Sequence, residues 1–235
     1  NEIQLNCNIY NGTFYLDTFN YFLINNDYKT FSNSFTRDIN QNNGHYYTND
    51  FFNHFKNNIK SIKEFNNIFV LGSNAANNYY SNLIQFLPRL FFLQNKTDLK
   101  IAIHRNSSIK FRNFIELILR NKNIKFSFIY LDDGFYKFVD SQIPEFLDLK
   151  KSIKILKELL IPTNSKSKDK KIYVTREDST YRKIINEADI MPILRSKGYK
   201  VINPQLYQIE EQIRIFSEAE KIIAPHGSNL SNIIF

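Results

Sequence analysis

The chain has 235 residues, enough to bury the core of one large domain or of two small ones. Its 31 basic and 23 acidic side chains give a formal net charge of +8, which favours anionic partners but does not choose between phosphorylated ligands, polyanions and membranes. The single cysteine, Cys7, excludes an internal disulfide and a cysteine metal cluster, and no apolar run reaches the ~18 residues of a membrane-spanning helix.

Residues 1–65 do not indicate a clear order of elements. The strings NGTFYLD and NGHYYTND within them are typical of turns between short aromatic elements, because asparagine and glycine readily adopt positive φ. We therefore treat this part of the chain as a poorly defined N-terminal segment.

An alternation of strands and helices occupies the middle of the chain. Short apolar runs predict buried strands, and apolar residues at helical spacing predict helices between them. The predicted order is strand 67–73, helix 77–93, strand 100–106, helix 109–121 and strand 124–132. This order indicates a parallel α/β unit, in which Pro88 kinks the first helix and Ser107 or Ser108 caps the second.

A polar stretch over residues 161–171, with one proline and alternating serine and lysine, predicts a linker. It follows a predicted basic helix at 149–160. We therefore divide the chain into the N-terminal segment 1–65, an α/β lobe over 66–162, a linker over 163–171 and a second α/β lobe over 172–235.

The alternation restarts after the linker. The predicted order is strand 171–178, helix 180–198, strand 199–204, helix 208–220, strand 221–225 and the start of a helix at 228–235. Pro192 is expected to interrupt the first of these helices, and Gly198 suits the C′ position that ends it. The fold class is thus α/β, and two such units predict Rossmann-like lobes facing a cleft, with ligands at the carboxyl ends of the strands.

The string APHGSN, residues 224–229, lies between a predicted strand and a predicted helix. Gly227 allows a ligand to approach the backbone, and the N–H groups of the following helical turn form an anion site. His226 is suited to hydrogen bonding a phosphate or to proton transfer. The alternative is a plain turn in which Ser228 or Asn229 caps the helix, and spacing alone favours this alternative.

Arginine and polar side chains accompany this turn in the second unit. Arg176 ends the first strand at the same predicted edge, where an arginine can bind a phosphate in bidentate fashion, and Arg182 follows it. For either arginine alone, a surface position is the alternative. Asn186 and Glu187 are interpreted as a solvated helix face, and Gln212 as a half-buried, hydrogen-bonded residue.

Two adjacent carboxylates, Asp132 and Asp133, end the last strand of the first unit. They suit Mg²⁺ or Mn²⁺, but Asp-Gly is a strong turn signal and we favour the turn. His104 and Arg105 end the preceding strand, where facing a cleft and facing solvent are equally expected. No Walker, GxGxxG, GxSxG or HExxH motif is present.

An ordered set of residues in the second unit fits the pattern of one known family. The set is Arg176, Arg182, Asn186-Glu187, Val201 to Pro204, Glu211-Gln212, Ala219, Ile222-Ile223 and His226-Gly227-Ser228-Asn229-Leu230-Ser231-Asn232. The first unit adds Asn78, Tyr79, Tyr80, Leu87, Pro88 and Arg89. Together they resemble glycosyltransferase family 61. The chain departs from the family pattern at Ser81, usually histidine, and Asn82, usually aromatic, and the resemblance does not reach residues 1–65.

The resemblance implies a two-lobed GT-B-like fold and inverting transfer of a sugar from a nucleotide donor to a glycan in surface or capsular polysaccharide synthesis. It implies a catalytic His226, donor contacts by Arg176, Arg182, Asn186, Gln212, Gly227, Ser228 and Asn229, and acceptor-side roles for Asn78, Tyr79, Tyr80 and Arg89. No cofactor and no divalent metal are expected, because positive groups of the protein stabilise the leaving diphosphate. The acceptor base is not identified. Since the family pattern continues past Phe235, we expect an incomplete second lobe.

The expected partners are a nucleotide sugar and a glycan acceptor. We expect the protein in the cytoplasm, with the basic helix 149–160 in peripheral contact with an anionic membrane. No nucleic acid is expected, because the chain has no aromatic-basic recognition motif. The alternative function is a non-catalytic, degenerate transferase or a polyanion-binding protein. Ser81 in place of the family histidine and the net charge of +8 motivate this alternative.

Overall fold

The computed structural model describes residues 7–18, 21–27, 29, 55–57, 59, 62–72, 78–93, 98–161, 168–177 and 184–235. The chain divides into two compact units, residues 1–152 and 153–235, and each contains its own sheet. The predicted linker, 163–171, lies partly outside the described residues, and its role stays a prediction.

The first unit is built on a seven-stranded sheet. Its strands are β1 (Ile9–Asp17), β2 (Phe22–Asn25), β3 (Lys63–Asn66), β4 (Phe69–Val70), β5 (Leu99–His104), β6 (Phe126–Leu131) and β7 (Phe135–Pro144). Their order is β2-β1-β7-β4-β5-β6, with β3 also paired to β7. Strands β3 to β6 run parallel to their neighbours, whereas β1 is antiparallel to both β2 and β7.

The three predicted strands of the first unit are confirmed as β4, β5 and β6. In β5 the consecutive residues Ile101, Ala102 and Ile103 are all fully buried, as in a strand covered on both faces. Such a strand is a continuous apolar run, and this is the pattern that the sequence presents.

The interpretation of NGTFYLD as a turn is wrong, because these residues lie in β1. Gly12, at φ 148°, and the register shift between Gly12 and Phe14 form a bulge within a strand that continues on both sides. Beyond the bulge, the Phe14 ring stacks on Phe138 of β7, with 5.3 Å between centroids. The string NGHYYTND lies outside the described residues.

The helices of the first unit follow the predictions closely. Helix α1 (Tyr79–Ser81) continues as a π-helix (Asn82–Phe86) and a 3₁₀-helix (Leu87–Phe92), so the expected break at Pro88 is a change of helix type. Helix α2 (Ile109–Asn121) is capped by Ser108, whose Oγ accepts a hydrogen bond from the Phe111 N–H at 3.1 Å. Helix α3 (Leu149–Leu160) contains the point at which the two units divide.

The second unit contains a parallel sheet of three strands, β8 (Lys170–Val174), β9 (Tyr199–Ile202) and β10 (Ala219–Ile223), in the order β10-β8-β9. Its helices are α4 (Glu187–Ser196) and α5 (Ile209–Ser217), with 3₁₀-helices at Pro204–Leu206 and Ser228–Ile234. Gly198, at φ 81°, occupies the predicted C′ position after α4. The α/β fold class is therefore confirmed for the described residues.

Two predicted details of the second unit are wrong. Pro192 lies inside α4 and does not interrupt it. Helix α5 ends at Ser217, so that Ala219 already belongs to β10. The helix predicted at 228–235 is present as a 3₁₀-helix of seven residues. Among the described residues, no helix is both long enough and apolar enough to cross a membrane.

Cys7 carries a partly buried thiol that packs beside the end of β7 in the first unit. Its reactivity provides a test of how the N-terminal residues pack against that strand. Its Sγ lies 3.3 Å from the Asn8 carbonyl oxygen and 3.8 Å from that of Glu145. Burial, reinforced by the Glu145 charge, raises the pKa of Cys7 to about 11. The thiolate population near pH 8 is then about a hundredfold below that of an ordinary cysteine, a deficit that the greater nucleophilicity of a more basic thiolate partly offsets.

We therefore expect iodoacetamide to alkylate Cys7 about tenfold more slowly in the folded protein than in urea. Mass spectrometry measures both rates without ambiguity, because the chain has one cysteine. Equal rates in buffer and in urea would contradict the packing of Cys7 against β7.

Candidate functional site

Arg176 lies two residues after the end of β8, against the turn that follows β10. Its Nη1 donates a hydrogen bond to the His226 carbonyl oxygen at 2.9 Å. A Cβ added to Gly227 would overlap Nη1 of Arg176 and lie 2.6 Å from its Cζ. Gly227 is extended, at φ 169°, so a glycine is needed here for the close approach of the guanidinium, not for a left-handed backbone.

The turn after β10 presents an exposed His226 and leads into the 3₁₀-helix Ser228–Ile234. The N-cap position is Gly227, and no side chain among the described residues caps this helix. The interpretation of Ser228 or Asn229 as a cap is therefore wrong. Because a short 3₁₀-helix has few aligned peptide dipoles, the main positive group at this edge is the Arg176 guanidinium.

Glu187, the first residue of α4, is buried, and its interpretation as part of a solvated face is wrong. Its Oε1 accepts hydrogen bonds from the Tyr173 hydroxyl at 2.6 Å and the Arg176 N–H at 3.4 Å. Burial, together with the bond to Glu187, raises the pKa of Tyr173 well above its ordinary value. Glu187 thus holds the backbone that carries Arg176. Asn186 is exposed in front of α4, and Arg182 lies outside the described residues.

Gln212 on α5 is fully buried rather than half-buried. Its Nε2 donates to the Tyr207 carbonyl oxygen at 2.8 Å, and its Oε1 accepts from Asn232 at 3.3 Å. These bonds fix the 3₁₀-helix that follows Gly227 against α5, so they indicate that Gln212 positions the turn. A direct contact of Gln212 with phosphate stays a prediction.

A histidine and an aspartate meet at the carboxyl ends of β5 and β6 in the first unit. His104 is 3% exposed, and its Nε2 lies 2.9 Å from Oδ1 of Asp133. The Asn106 N–H donates to Nδ1 of His104 at 3.1 Å, so the proton of a neutral ring lies on Nε2. The expectation that His104 faces solvent is therefore wrong, and the alternative that it faces a cleft stays a prediction.

The neighbouring Asp132 is bound differently. Arg105 donates to both of its carboxylate oxygens, from Nε at 2.6 Å and from Nη2 at 3.3 Å. These hydrogen bonds lower the pKa of Asp132. Residues 132–134 form the bend between β6 and β7, so the turn interpretation is confirmed. Sequence reasoning did not pair these residues, although His104 lies opposite Leu131 in adjacent parallel strands.

A family comparison decides what kind of protein carries these two sites. The family model described as Glycosyltransferase 61 matches residues 40–235. The chain belongs to glycosyltransferase family 61. Membership identifies it as a glycosyltransferase, an enzyme with a sugar donor and an acceptor. The match begins at residue 40, so it covers part of the segment 1–65 that the resemblance did not reach. A search of curated proteins returned no match.

The acceptor-side residues implied by the family 61 resemblance lie at the start of α1. Oδ1 of Asn78 accepts the Ser81 N–H at 3.0 Å and caps the helix. The Tyr79 ring packs on α2, with its centroid 5.3 Å from Lys110 Nζ, and burial lowers the pKa of Lys110. Tyr80 is 44% exposed. Asn78 and Tyr80 are thus exposed, and Tyr80 presents an aromatic ring to a ligand.

Arg89, the fourth acceptor-side residue, lies in the core of the family 61 protein and is 0% exposed. Its Nη1 donates to the Tyr21 hydroxyl at 2.6 Å and to the Leu71 carbonyl oxygen at 2.7 Å. Its Nε and Nη2 both donate to the Pro144 carbonyl oxygen, and the Phe146 ring centroid lies 4.6 Å from Cζ. These contacts give Arg89 a structural role, and any effect on an acceptor would pass through the segments it joins.

A pocket of about 480 Å³ in the second unit adjoins the β8 end of this family 61 protein. Its lining includes Glu177, Glu187, Ala188, Met191 and Arg195. The described residues contain no group of three or more histidine, cysteine, aspartate or glutamate side chains that would hold a metal ion.

Proposed function

We propose that this family 61 protein is an inverting glycosyltransferase. It moves a sugar from a nucleotide-sugar donor to a glycan acceptor in the synthesis of surface or capsular polysaccharide, within a two-lobed GT-B-like arrangement. The observation that carries the proposal is the contact of the Arg176 guanidinium with the His226–Gly227 backbone at the carboxyl ends of β8 and β10. This edge of a parallel sheet is where open α/β folds bind their ligands.

The chemistry of the donor matches this edge. When the bond to the sugar breaks, negative charge develops on the departing nucleoside diphosphate and needs preorganised donors. Arg176 supplies a permanent positive charge, the exposed His226 supplies a hydrogen-bond donor or acid, and the backbone after Gly227 supplies N–H groups. With these groups in place, we expect transfer without a divalent ion.

Further donor contacts are assigned to Arg182, Asn186, Gln212, Ser228 and Asn229, and the adjoining pocket has the size of a nucleoside site. The acceptor side is assigned to Asn78, Tyr79, Tyr80 and, through its structural role, Arg89. Of these residues, the exposed Tyr80 is the most direct candidate for a contact with a sugar.

We place the reaction in the cytoplasm, with α3 against the inner face of the membrane. Support comes from Lys150, Lys151, Lys154 and Lys157 on that helix, since juxtaposed lysines are attracted to anionic lipids. No nucleic-acid partner is proposed.

Isothermal titration calorimetry with UDP-, GDP- and dTDP-sugars, the donors whose leaving group is a nucleoside diphosphate, tests the donor site. We expect the protein to bind one nucleotide class in the presence of EDTA, and Arg176→Ala to weaken that affinity at least tenfold, as removal of a charged hydrogen-bond donor does. Arg214→Ala is the matched control. Arg214 is an arginine of the same unit, bound to Glu218 and remote from the Arg176 edge, and its removal should change the affinity less than twofold.

Two outcomes would count against the proposal. Binding that is equally strong in Arg176→Ala and Arg214→Ala would remove its basis. Donor binding without any release of nucleoside diphosphate, with or without added glycosides, would favour the alternative of a degenerate, non-catalytic transferase.

A further inference from the structure

We propose that Asp133 is the general base that accepts the proton of the attacking acceptor hydroxyl, and that His104 is the residue that positions it. This inference rests on the proposed glycosyltransferase function. It assigns the proton acceptor that inverting transfer requires, and it places that group in the first unit, at the carboxyl ends of the parallel strands β5 and β6.

His104 holds one oxygen of Asp133 in a defined way. The ring is buried, and its Nδ1 accepts the Asn106 N–H, which leaves Nε2 as the donor to Oδ1 of Asp133 at 2.9 Å. Both nitrogens of the ring are therefore engaged. His104 has no nitrogen left for a substrate, so its role is to orient the carboxylate.

The other oxygen of Asp133 is the one presented to a ligand. The Asp133 side chain is 56% exposed, and within the part of the chain that the structure describes no hydrogen bond engages its Oδ2. A carboxylate held through one oxygen and open at the other is the arrangement of a positioned base.

Asp132 provides an internal contrast. It is as exposed as Asp133, at 62%, but Arg105 donates to both of its oxygens. A carboxylate neutralised in this bidentate way is a weaker proton acceptor, as the lowered pKa of Asp132 indicates. Of the two adjacent aspartates, Asp132 has both carboxylate oxygens bound to an arginine, whereas Asp133 has one oxygen that can accept a proton.

The proposed step balances without any further reactant. The acceptor hydroxyl gives its proton to Oδ2 of Asp133 while its oxygen forms a bond to C1 of the donor sugar. The bond between C1 and the phosphate oxygen breaks, its electron pair leaves on the nucleoside diphosphate, and C1 is inverted. His104 keeps its proton throughout.

Asp133→Asn is the decisive variant, because asparagine retains an Oδ1 that accepts from His104 but cannot take a proton. The assay follows release of nucleoside diphosphate from the nucleotide sugar that binds in calorimetry, with water and with octyl glycosides as acceptors. We expect kcat to fall by 100-fold or more with donor affinity unchanged, and the acidic limb of the kcat–pH profile to disappear. Asp132→Asn is the matched control and should change kcat less than threefold.

Variants of His104 distinguish a role in positioning the Asp133 carboxylate from a role only in the stability of the fold. His104→Gln keeps an N–H that reaches Oδ1 and should retain most of kcat, whereas His104→Leu removes it and should lower kcat more than tenfold. Circular dichroism identifies any variant that fails to fold, and Asp133→Asn remains informative in that event because it preserves the bond to His104.

The outcomes distinguish this assignment from the proposed function. If the wild-type protein releases nucleoside diphosphate and Asp133→Asn is equally active with an unchanged pH profile, Asp133 is not the base and the transferase function stands. If the wild-type protein binds no nucleotide sugar, the function fails and the base assignment fails with it.

Discussion

Replacing Gly227 with alanine is expected to lower kcat/KM for sugar transfer by about 10²–10³-fold with little loss of stability, the size of effect seen when one preorganised donor is lost from an active site. The added Cβ would overlap Nη1 of Arg176 and lie 2.6 Å from its Cζ. The end of a flexible side chain yields more easily than backbone, so the guanidinium moves and the fold remains. Arg176 then no longer lies where it contacts the His226 carbonyl oxygen.

A double-mutant cycle tests this cause directly. In the Arg176→Ala background, Gly227→Ala should cost little more, because the side chain that it displaces is gone. Gly198→Ala is the matched control. No described atom lies within 4 Å of a Cβ at that position, and its φ is 81°, so alanine there should lower stability by about 1 kcal/mol and leave kcat/KM unchanged. Wild-type kcat/KM in Gly227→Ala would show that the position of Arg176 does not matter for transfer.

Arg89→Met is expected to lower the free energy of unfolding by about 2–4 kcal/mol, because each buried polar group left without its partner costs about 1–3 kcal/mol. The substitution removes the Arg89 donors to the Tyr21 hydroxyl, the Leu71 carbonyl and the Pro144 carbonyl, although the Tyr21 hydroxyl still donates to the Leu71 carbonyl at 3.1 Å. Tyr21 is itself buried. Methionine fills much of the space but donates no hydrogen bond, so polar groups are left unsatisfied in the core.

Urea denaturation followed by circular dichroism measures the effect. Arg120→Met is the control, because Arg120 is exposed on α2 and its loss should change stability by less than about 0.5 kcal/mol. Arg89→Lys should also be strongly destabilising, because a single ammonium group does not reproduce the planar fork that meets three acceptors. A loss below about 1 kcal/mol in Arg89→Met would mean that the network adds little.

The sequence by itself determined the α/β class, the strands β4 to β6 and β8 to β10, and the family. Each of these follows from local information. Buried parallel strands are continuous apolar runs, Ser108 caps α2 from three residues away, and Gly198 ends α4 through its own φ. The family pattern is likewise an order of residue types along the chain.

Only the tertiary structure decided the pairings between distant residues. Strand β1 pairs with β7 across more than a hundred residues, with Ile9 opposite Pro144. Because of this pairing, the Asn11-Gly12 string forms a bulge within a strand and not the predicted turn. The burial of Glu187 and Arg89 could not be predicted from the sequence for the same reason. A charged side chain is buried only where hydrogen-bond partners surround it, and these partners come from distant parts of the chain. His104 and Asp133 were each noted in the sequence, but the pair arises because β5 and β6 are neighbours in register, and the contact between two strand ends depends on the sheet, not on either residue alone.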